Sequence, residues 1–127
     1  MKESNPGFQN KTFLIVEDDP VSSEFLKEVF EDMNVNLFFC RSGEEAIDIV
    51  KKHPEISLIL MDIRLPGQDG YETTKTIKEI NKNIRIIAQT AYALEGDNER
   101  ALKSGCDDYI SKPIRPSVLL EKVRAIL

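Results

Sequence analysis

Two short apolar runs, each closed by acidic residues, constrain this chain more than any other feature. Phe13-Leu14-Ile15-Val16 runs into Glu17-Asp18-Asp19, and Leu58-Ile59-Leu60-Met61 runs into Asp62. An apolar run without polar alternation reads as a strand buried on both faces, the pattern of a parallel sheet. Open α/β sheets bind their ligands beyond the carboxyl ends of the strands. Two such strands side by side would gather Glu17, Asp18 and Asp62 at one point. Gathered carboxylates repel one another, raise a pKa or hold a cation. Hard oxygen donors with room for water and phosphate suit Mg²⁺ best of these.

Strand and helix signals alternate along the rest of the chain. Lys11–Val16 reads as the first strand, and Asp19 as an N-cap with Pro20 at the first helical position. The helix that follows carries Phe25, Leu26, Val29, Phe30 and Met33 on one face. Asn36–Cys40 is the second strand, and Ser42 with Glu45 forms a capping box. That box opens a helix with Ala46, Ile47, Ile49 and Val50, which closes near His53-Pro54. Ile56–Met61 is the third strand. After the loop 62–69, a helix from about Gly70 to Ile80 turns Tyr71, Thr74 and Ile77 inward. Ile84–Gln89 is the fourth strand, Leu94–Ser104 a weak helix broken early by Gly96, and Asp108–Ser111 a short fifth strand. Pro116 opens a last helix striped by Leu119, Leu120, Val123, Ile126 and Leu127. Such alternation implies right-handed crossovers around a parallel sheet. The expected fold class is therefore α/β; five strands suit a flavodoxin-like doubly wound (βα)5 domain, and the order 2-1-3-4-5 is taken over from that known fold, which makes strands 1 and 3 adjacent at the switch point.

At 127 residues the chain is one domain with a proper core, here residues 11–127 behind a polar tail of residues 1–10. No apolar stretch approaches the roughly 20 residues of a membrane span, and the N-terminus lacks the apolar middle of a signal peptide. The expected location is the cytoplasm. The 22 acidic residues outnumber the 17 basic ones, for a formal charge of −5. This argues against nucleic-acid binding, which needs clustered Lys and Arg. Cys40 and Cys106 make no CxxC and no zinc spacing; Cys40 ends an apolar run and reads as core, Cys106 as a loop residue, and a disulfide between them is not expected. His53 reads as a surface residue.

Three further side chains close strands on the same side: Thr90 ends the fourth, Lys112 ends the fifth, and Tyr109 lies three residues before Lys112. Each alone has a bland reading, as a strand residue, a solvated lysine and a packed aromatic. Together with Val16-Glu17-Asp18-Asp19-Pro20, Leu60-Met61-Asp62-Ile63-Arg64-Leu65-Pro66-Gly67-Gln68-Asp69-Gly70, Ala88-Gln89-Thr90-Ala91 and Asp107-Asp108-Tyr109-Ile110-Ser111-Lys112-Pro113, they resemble the receiver domains of two-component response regulators. The resemblance spans about Thr12 to Leu127. It implies that Asp62 accepts a phosphoryl group from a phosphohistidine on a histidine kinase or histidine phosphotransfer protein. It further implies that Glu17, Asp18, Asp62 and the main-chain carbonyl of Arg64 hold Mg²⁺, with Glu17 acting through water. Thr90 and Lys112 would bind the phosphoryl oxygens, and Tyr109 would move inward with Thr90. Arg64 and Tyr92, each two residues beyond a motif residue, would cover the phosphoryl group and slow its hydrolysis. The switching face would be the fourth helix, fifth strand and fifth helix, a surface also suited to a homodimer. Thr90-Ala91-Tyr92-Ala93 and Ser111-Lys112-Pro113-Ile114 resemble the receivers of hybrid sensor histidine kinases, which favours a receiver taken from a larger chain over the alternative of a stand-alone phosphorelay protein.

Three rivals share parts of this pattern. A flavin carrier of the same fold would need a phosphate-cradling loop after strand 1, where Glu17-Asp18-Asp19 would repel a bare phosphate. A Mg²⁺-dependent aspartyl-phosphate phosphatase of the haloacid-dehalogenase kind needs an acid two residues beyond its nucleophile; Arg64 stands there. A receiver-like module that binds proteins without phosphorylation would not need Asp18, Asp62, Thr90 and Lys112 together. The expectation is a signalling receiver and not a turnover enzyme.

Overall fold

Five strands and five helices alternate along the chain in a computed structural model that describes residues 9–65, 67, 69–90 and 97–127. The strands are β1 (Thr12–Val16), β2 (Asn36–Cys40), β3 (Ile56–Asp62), β4 (Arg85–Thr90) and β5 (Asp108–Ser111). The helices are α1 (Pro20–Phe30), α2 (Gly43–Lys52), α3 (Gly70–Ile80), α4 (Asp97–Ser104) and α5 (Pro116–Ile126). All pairings are parallel, and the order is β2-β1-β3-β4-β5.

Alternate residues of each inner strand feed two separate cores. Leu14, Val16, Ile59, Met61, Ile86 and Ala88 pack with Ala46, Val50, Ile77 and Ala101 from α2, α3 and α4. Phe13, Ile15, Leu58, Leu60, Ile87 and Ile110 pack with Leu26, Phe30, Leu119 and Val123 from α1 and α5. Both faces of β1 and β3 are thus covered, which is why those strands show no polar alternation.

The caps follow the sequence signals. Asp19 adopts extended backbone before Pro20; its carboxylate accepts from the Val21 amide at 3.3 Å and the Ser22 hydroxyl at 2.9 Å. Ser42 Oγ accepts from the Glu45 amide at 3.2 Å and donates to Glu45 Oε1 at 3.2 Å. Asp69 caps α3 through the Glu72 amide at 2.9 Å. Gly70 is required sterically, because a Cβ there would run into the Asp62 carbonyl oxygen.

Several boundaries differ from the expected ones. β1 begins at Thr12, β3 reaches Asp62, and β4 sits one residue later than its apolar run. Ile84 is buried, but its amide closes a turn onto the Asn81 carbonyl, so the ladder starts at Arg85. Met33 lies in a 3₁₀ turn (Glu31–Met33) that ends at Asn34 in the left-handed region, φ 56°. Phe25 and Leu127 sit at the rim of the core, 36% and 37% exposed. Cys106 lies in the loop between α4 and β5, as expected, but it is buried there, with its thiol 3.7 Å from Thr74 Oγ1. Burial pushes the Cys106 thiol pKa up and that of Cys40 to about 12, and both cysteines are free. His53 is half-buried, stacked 4.5 Å from Phe38 and paired with Glu55. Among the described residues no helix is long and apolar enough to cross a membrane.

Candidate functional site

Strand register brings the motif residues to one end of the sheet. Val16 pairs with Met61, Asp62 with Gln89, and Thr90 with Ser111. The Glu17 amide donates to the Cys40 carbonyl at 3.0 Å, and the Lys112 amide to the Thr90 carbonyl at 2.8 Å, so the ladder carries on into the site. Glu17, Asp62, Thr90 and Lys112 therefore stand at the carboxyl ends of neighbouring strands, as expected.

Lys112 joins them. Its Nζ donates to Glu17 Oε1 at 3.1 Å and to Asp62 Oδ2 at 3.2 Å. The Glu17 and Asp62 side chains are almost wholly buried, while Lys112 keeps 28% of its side chain exposed. The second oxygen of each carboxylate is held by backbone: the Arg64 amide donates to Asp62 Oδ1 at 3.0 Å and the Asp19 amide to Glu17 Oε2 at 3.2 Å. Burial, and then the neighbouring Asp62 carboxyl, raise the Glu17 pKa above its ordinary value. Burial pulls the Lys112 pKa down, but the charges of Asp62 and Glu17 outweigh it, and the net shift is upward. Two buried carboxylates thus share one ammonium, and the site carries excess negative charge when both are ionised.

The other expected members are placed less tightly. Asp18 is half exposed, with Arg41 at 3.8 Å. So long and solvated a pairing contributes little, and it does not hold the carboxylate away from a cation. Among the described residues, no three acidic, cysteine or histidine side chains already converge as a metal cluster. The donor set nonetheless fits a hard divalent cation: all oxygen, with surplus negative charge at a partly open strand end. Arg64 is exposed, while its amide caps Asp62. Thr90 is buried at the end of β4. Tyr109 is half-buried against the α2–α3–α4 core, with the Lys122 ammonium 5.4 Å from its ring. Tyr92 lies outside the described residues. The Lys112-Pro113 peptide bond is cis.

Sequence reasoning passed over Arg41 and gave Asp107 no role beyond its place in the last motif. Arg41 follows Cys40, which pairs with Val16, so the strand order alone puts it beside the acidic triplet. Asp107 Oδ2 accepts from the Lys78 ammonium at 2.9 Å and the Ile86 amide at 2.8 Å, and Arg85 donates to Oδ1 at 3.3 Å. It ties α3, β4 and β5 together at the end of the sheet away from the site, and no local sequence signal marks it.

Residues 13–124 match the sequence profile of the response regulator receiver domain. The chain is 39% identical over 119 residues to the polar-differentiation response regulator DivK of Brucella ovis, covering 92% of this chain and 96% of that one. Its fold matches the receiver domain of the response regulator Ssk1 of Saccharomyces cerevisiae, solved with the histidine phosphotransfer signalling protein Ypd1. That match has a TM-score of 0.85 and 30% identity, covering 91% of this chain and 88% of that one. A further match is the receiver domain of the sensor histidine kinase PA1611 of Pseudomonas aeruginosa, with magnesium coordinated in its active-site cleft. There the TM-score is 0.81 and the identity 32%, covering 91% and 96% of the two chains. With this fold, these four motifs and these relatives, the chain belongs to the response regulator receiver domain family.

Proposed function

We propose that Asp62 is the phosphoacceptor of this receiver, and that a histidine kinase or histidine phosphotransfer protein is its donor. The observation that carries the reading is the Lys112 ammonium held between the buried carboxylates of Glu17 and Asp62. A carboxylate attacks an anionic phosphoryl group only when the charge between them is neutralised. Lys112 supplies part of that charge at Asp62 Oδ2, and the Arg64 amide fixes the other oxygen. The Asp62 oxygen forms its bond to phosphorus as the P–N bond of the donor breaks, and the electron pair returns to the imidazole. Thr90 donates its hydroxyl to a phosphoryl oxygen, and Tyr109 follows Thr90.

Glu17 through water, Asp18, Asp62 and the main-chain carbonyl of Arg64 would hold Mg²⁺. When bound, it supplies the remaining positive charge that phosphoryl oxygens need in transfer. The magnesium coordinated in the PA1611 receiver supports this donor set, and the Ypd1 complex of the Ssk1 receiver supports the class of donor. The functional unit is residues 11–127, and its place is the cytoplasm, where ATP feeds histidine kinases. Leu102 on α4 is 60% exposed, which supports a homodimer through the α4–β5–α5 face.

Incubation with acetyl phosphate and Mg²⁺ tests the assignment. One hydroxylamine-labile phosphoryl adduct on Asp62 is expected, lost in Asp62→Asn and in EDTA. An adduct that survives either change sinks it. Arg64 and Tyr92 are proposed to shield the adduct from in-line water; Arg64→Asn and Tyr92→Glu should each shorten its lifetime. Unchanged lifetimes in both would exclude shielding.

A further inference from the structure

The start of α3 is seated directly on the end of β3. The Gly70 amide donates to the Ile63 carbonyl at 3.0 Å, and a Cβ on Gly70 would run into the Asp62 carbonyl oxygen and the Ile63 Cα. Backbone packed this closely has little slack, so a shift at Asp62 is passed on to Tyr71, the next residue of α3. The Tyr71 side chain is buried in the same core as Ala101 of α4. The exposed Arg100, one residue before Ala101, places its guanidinium carbon 4.5 Å from the centre of the Tyr71 ring.

The far end of α4 is held by firmer means. The Gly105 amide donates to the Leu102 carbonyl at 3.1 Å and the Cys106 amide to the Ala101 carbonyl at 2.9 Å, which closes the helix. Gly105 takes φ 105°, in the region that favours glycine. The buried Cys106 thiol lies 3.7 Å from Thr74 Oγ1, one turn along α3 from Tyr71. The α4 helix is therefore pinned to α3 at Cys106, while nearer its start a cation on a ring face joins the two helices. A contact of that kind at an exposed position is weak enough to break and strong enough to bias an equilibrium, by about two- to fivefold.

We propose that Arg100 on Tyr71 is a latch: it holds the first part of α4 to α3 and so couples α4 to Asp62 by a route separate from Thr90 and Tyr109. The inference rests on the phosphoacceptor reading of Asp62, whose switching the latch regulates. Its direction follows from the bonding at the site. Both Asp62 oxygens are engaged here, by the Lys112 ammonium and the Arg64 amide, as those of a free carboxylate. The latch thus belongs to the arrangement of the unmodified aspartate and favours it. Breaking the latch releases α4 to turn about its pinned end, and whatever eases that movement also strengthens binding of a phosphoryl group or its mimic at Asp62, since coupling between two sites is reciprocal.

The test compares the wild type with Arg100→Gln, Tyr71→Phe, Tyr71→Leu and the double variant Tyr71→Leu/Arg100→Gln. NMR reads amide hydrogen exchange along α4 and, at the Ile63 and Arg64 amides, titration with beryllofluoride in the presence of Mg²⁺. In Arg100→Gln, exchange of residues 101–103 should quicken by about two- to fivefold while the Cys106 amide is unchanged. Half-saturation with beryllofluoride should fall by a similar factor. Gln is close to Arg in helix propensity, so loss of helix is not the cause. Tyr71→Phe keeps the ring face and should stay near wild type. In the Tyr71→Leu background, Arg100→Gln should add nothing, because the two residues act as one contact. Unchanged exchange or an unchanged half-saturation in Arg100→Gln overturns the proposal, as does an equal effect of Arg100→Gln with and without the Tyr71 ring. If beryllofluoride fails to shift Ile63 and Arg64 in the wild type, the phosphoacceptor reading falls, and the exchange comparison still decides whether Arg100 holds α4 to α3.

Discussion

At Lys112 one ammonium answers two carboxylates, so removing it costs more than removing either partner. Lys112→Met leaves Glu17 and Asp62 buried with their amide donors but without the ammonium they share, and a loss of about 3 kcal/mol is expected from denaturant melts. The pH dependence has a definite sign. The folded pKa of Glu17 already lies above its unfolded value, so the native state holds extra proton, and stability falls as pH rises through that window. The Lys112 charge lowers the Glu17 pKa; without it the window extends upward. Lys112→Met should therefore be closer to wild type at about pH 5 than at about pH 8. A deficit independent of pH would mean that packing of the lysine stem, not charge, dominates. The acidic triplet divides its work in a similarly testable way. Asp18→Ala should abolish Mg²⁺ binding in calorimetric titration, whereas Asp19→Ala should keep it and lower the melting temperature by a few degrees through loss of the α1 cap. The opposite pattern would shift the metal assignment by one residue.

Among the elements, β4 and α4 differ most in how they are held. The start of β4 is tied by Asp107 to Lys78, Arg85 and the Ile86 amide. Asp107→Ala leaves the Ile86 amide without its carboxylate acceptor and leaves the Lys78 ammonium to the Ile84 carbonyl, and a loss of about 2 kcal/mol is expected from thermal or urea melts. An undiminished melting temperature would show that solvent replaces these bonds. The α4 helix has thinner support: Ala101 is its buried apolar anchor among the described residues, and the Arg100 guanidinium sits 4.5 Å from the Tyr71 ring. Few apolar contacts make an element easy to open. Its weak apolar stripe was legible in the sequence; the Arg100–Tyr71 contact was not, because it joins two helices.

For the whole molecule, phosphorylation can act only by favouring one of two arrangements the domain already populates. The thinly held α4 and the half-buried Tyr109 on β5 mark the face where a second arrangement is least costly. With beryllofluoride as phosphoryl mimic, hydrogen exchange should change most across residues 91–109. A change confined to residues 62–70 would mean that the switch stops at the site.

The sequence determined the fold class and most caps, because these depend on patterns read locally: apolar runs, helical stripes, and Asp, Ser or Pro at helix starts; the strand order came with the flavodoxin-like fold that five such units suit. It also placed the site, since strands 1 and 3 must be neighbours in this order and their ends carry the acids. Tertiary structure decided what depends on distance in space. Lys112, far along the chain from Glu17, proved to hold Glu17 and Asp62 together; its convergence on Asp62 was expected, its bond to Glu17 was not. Asp18 turned half into solvent beside Arg41. The start of β4 moved to Arg85 because the Ile84 amide is used in a turn. Gln89, unremarkable within its motif, became a buried amide without a partner. Local propensity fixes which element forms, but the environment of a side chain is set by what the other strands and helices bring against it.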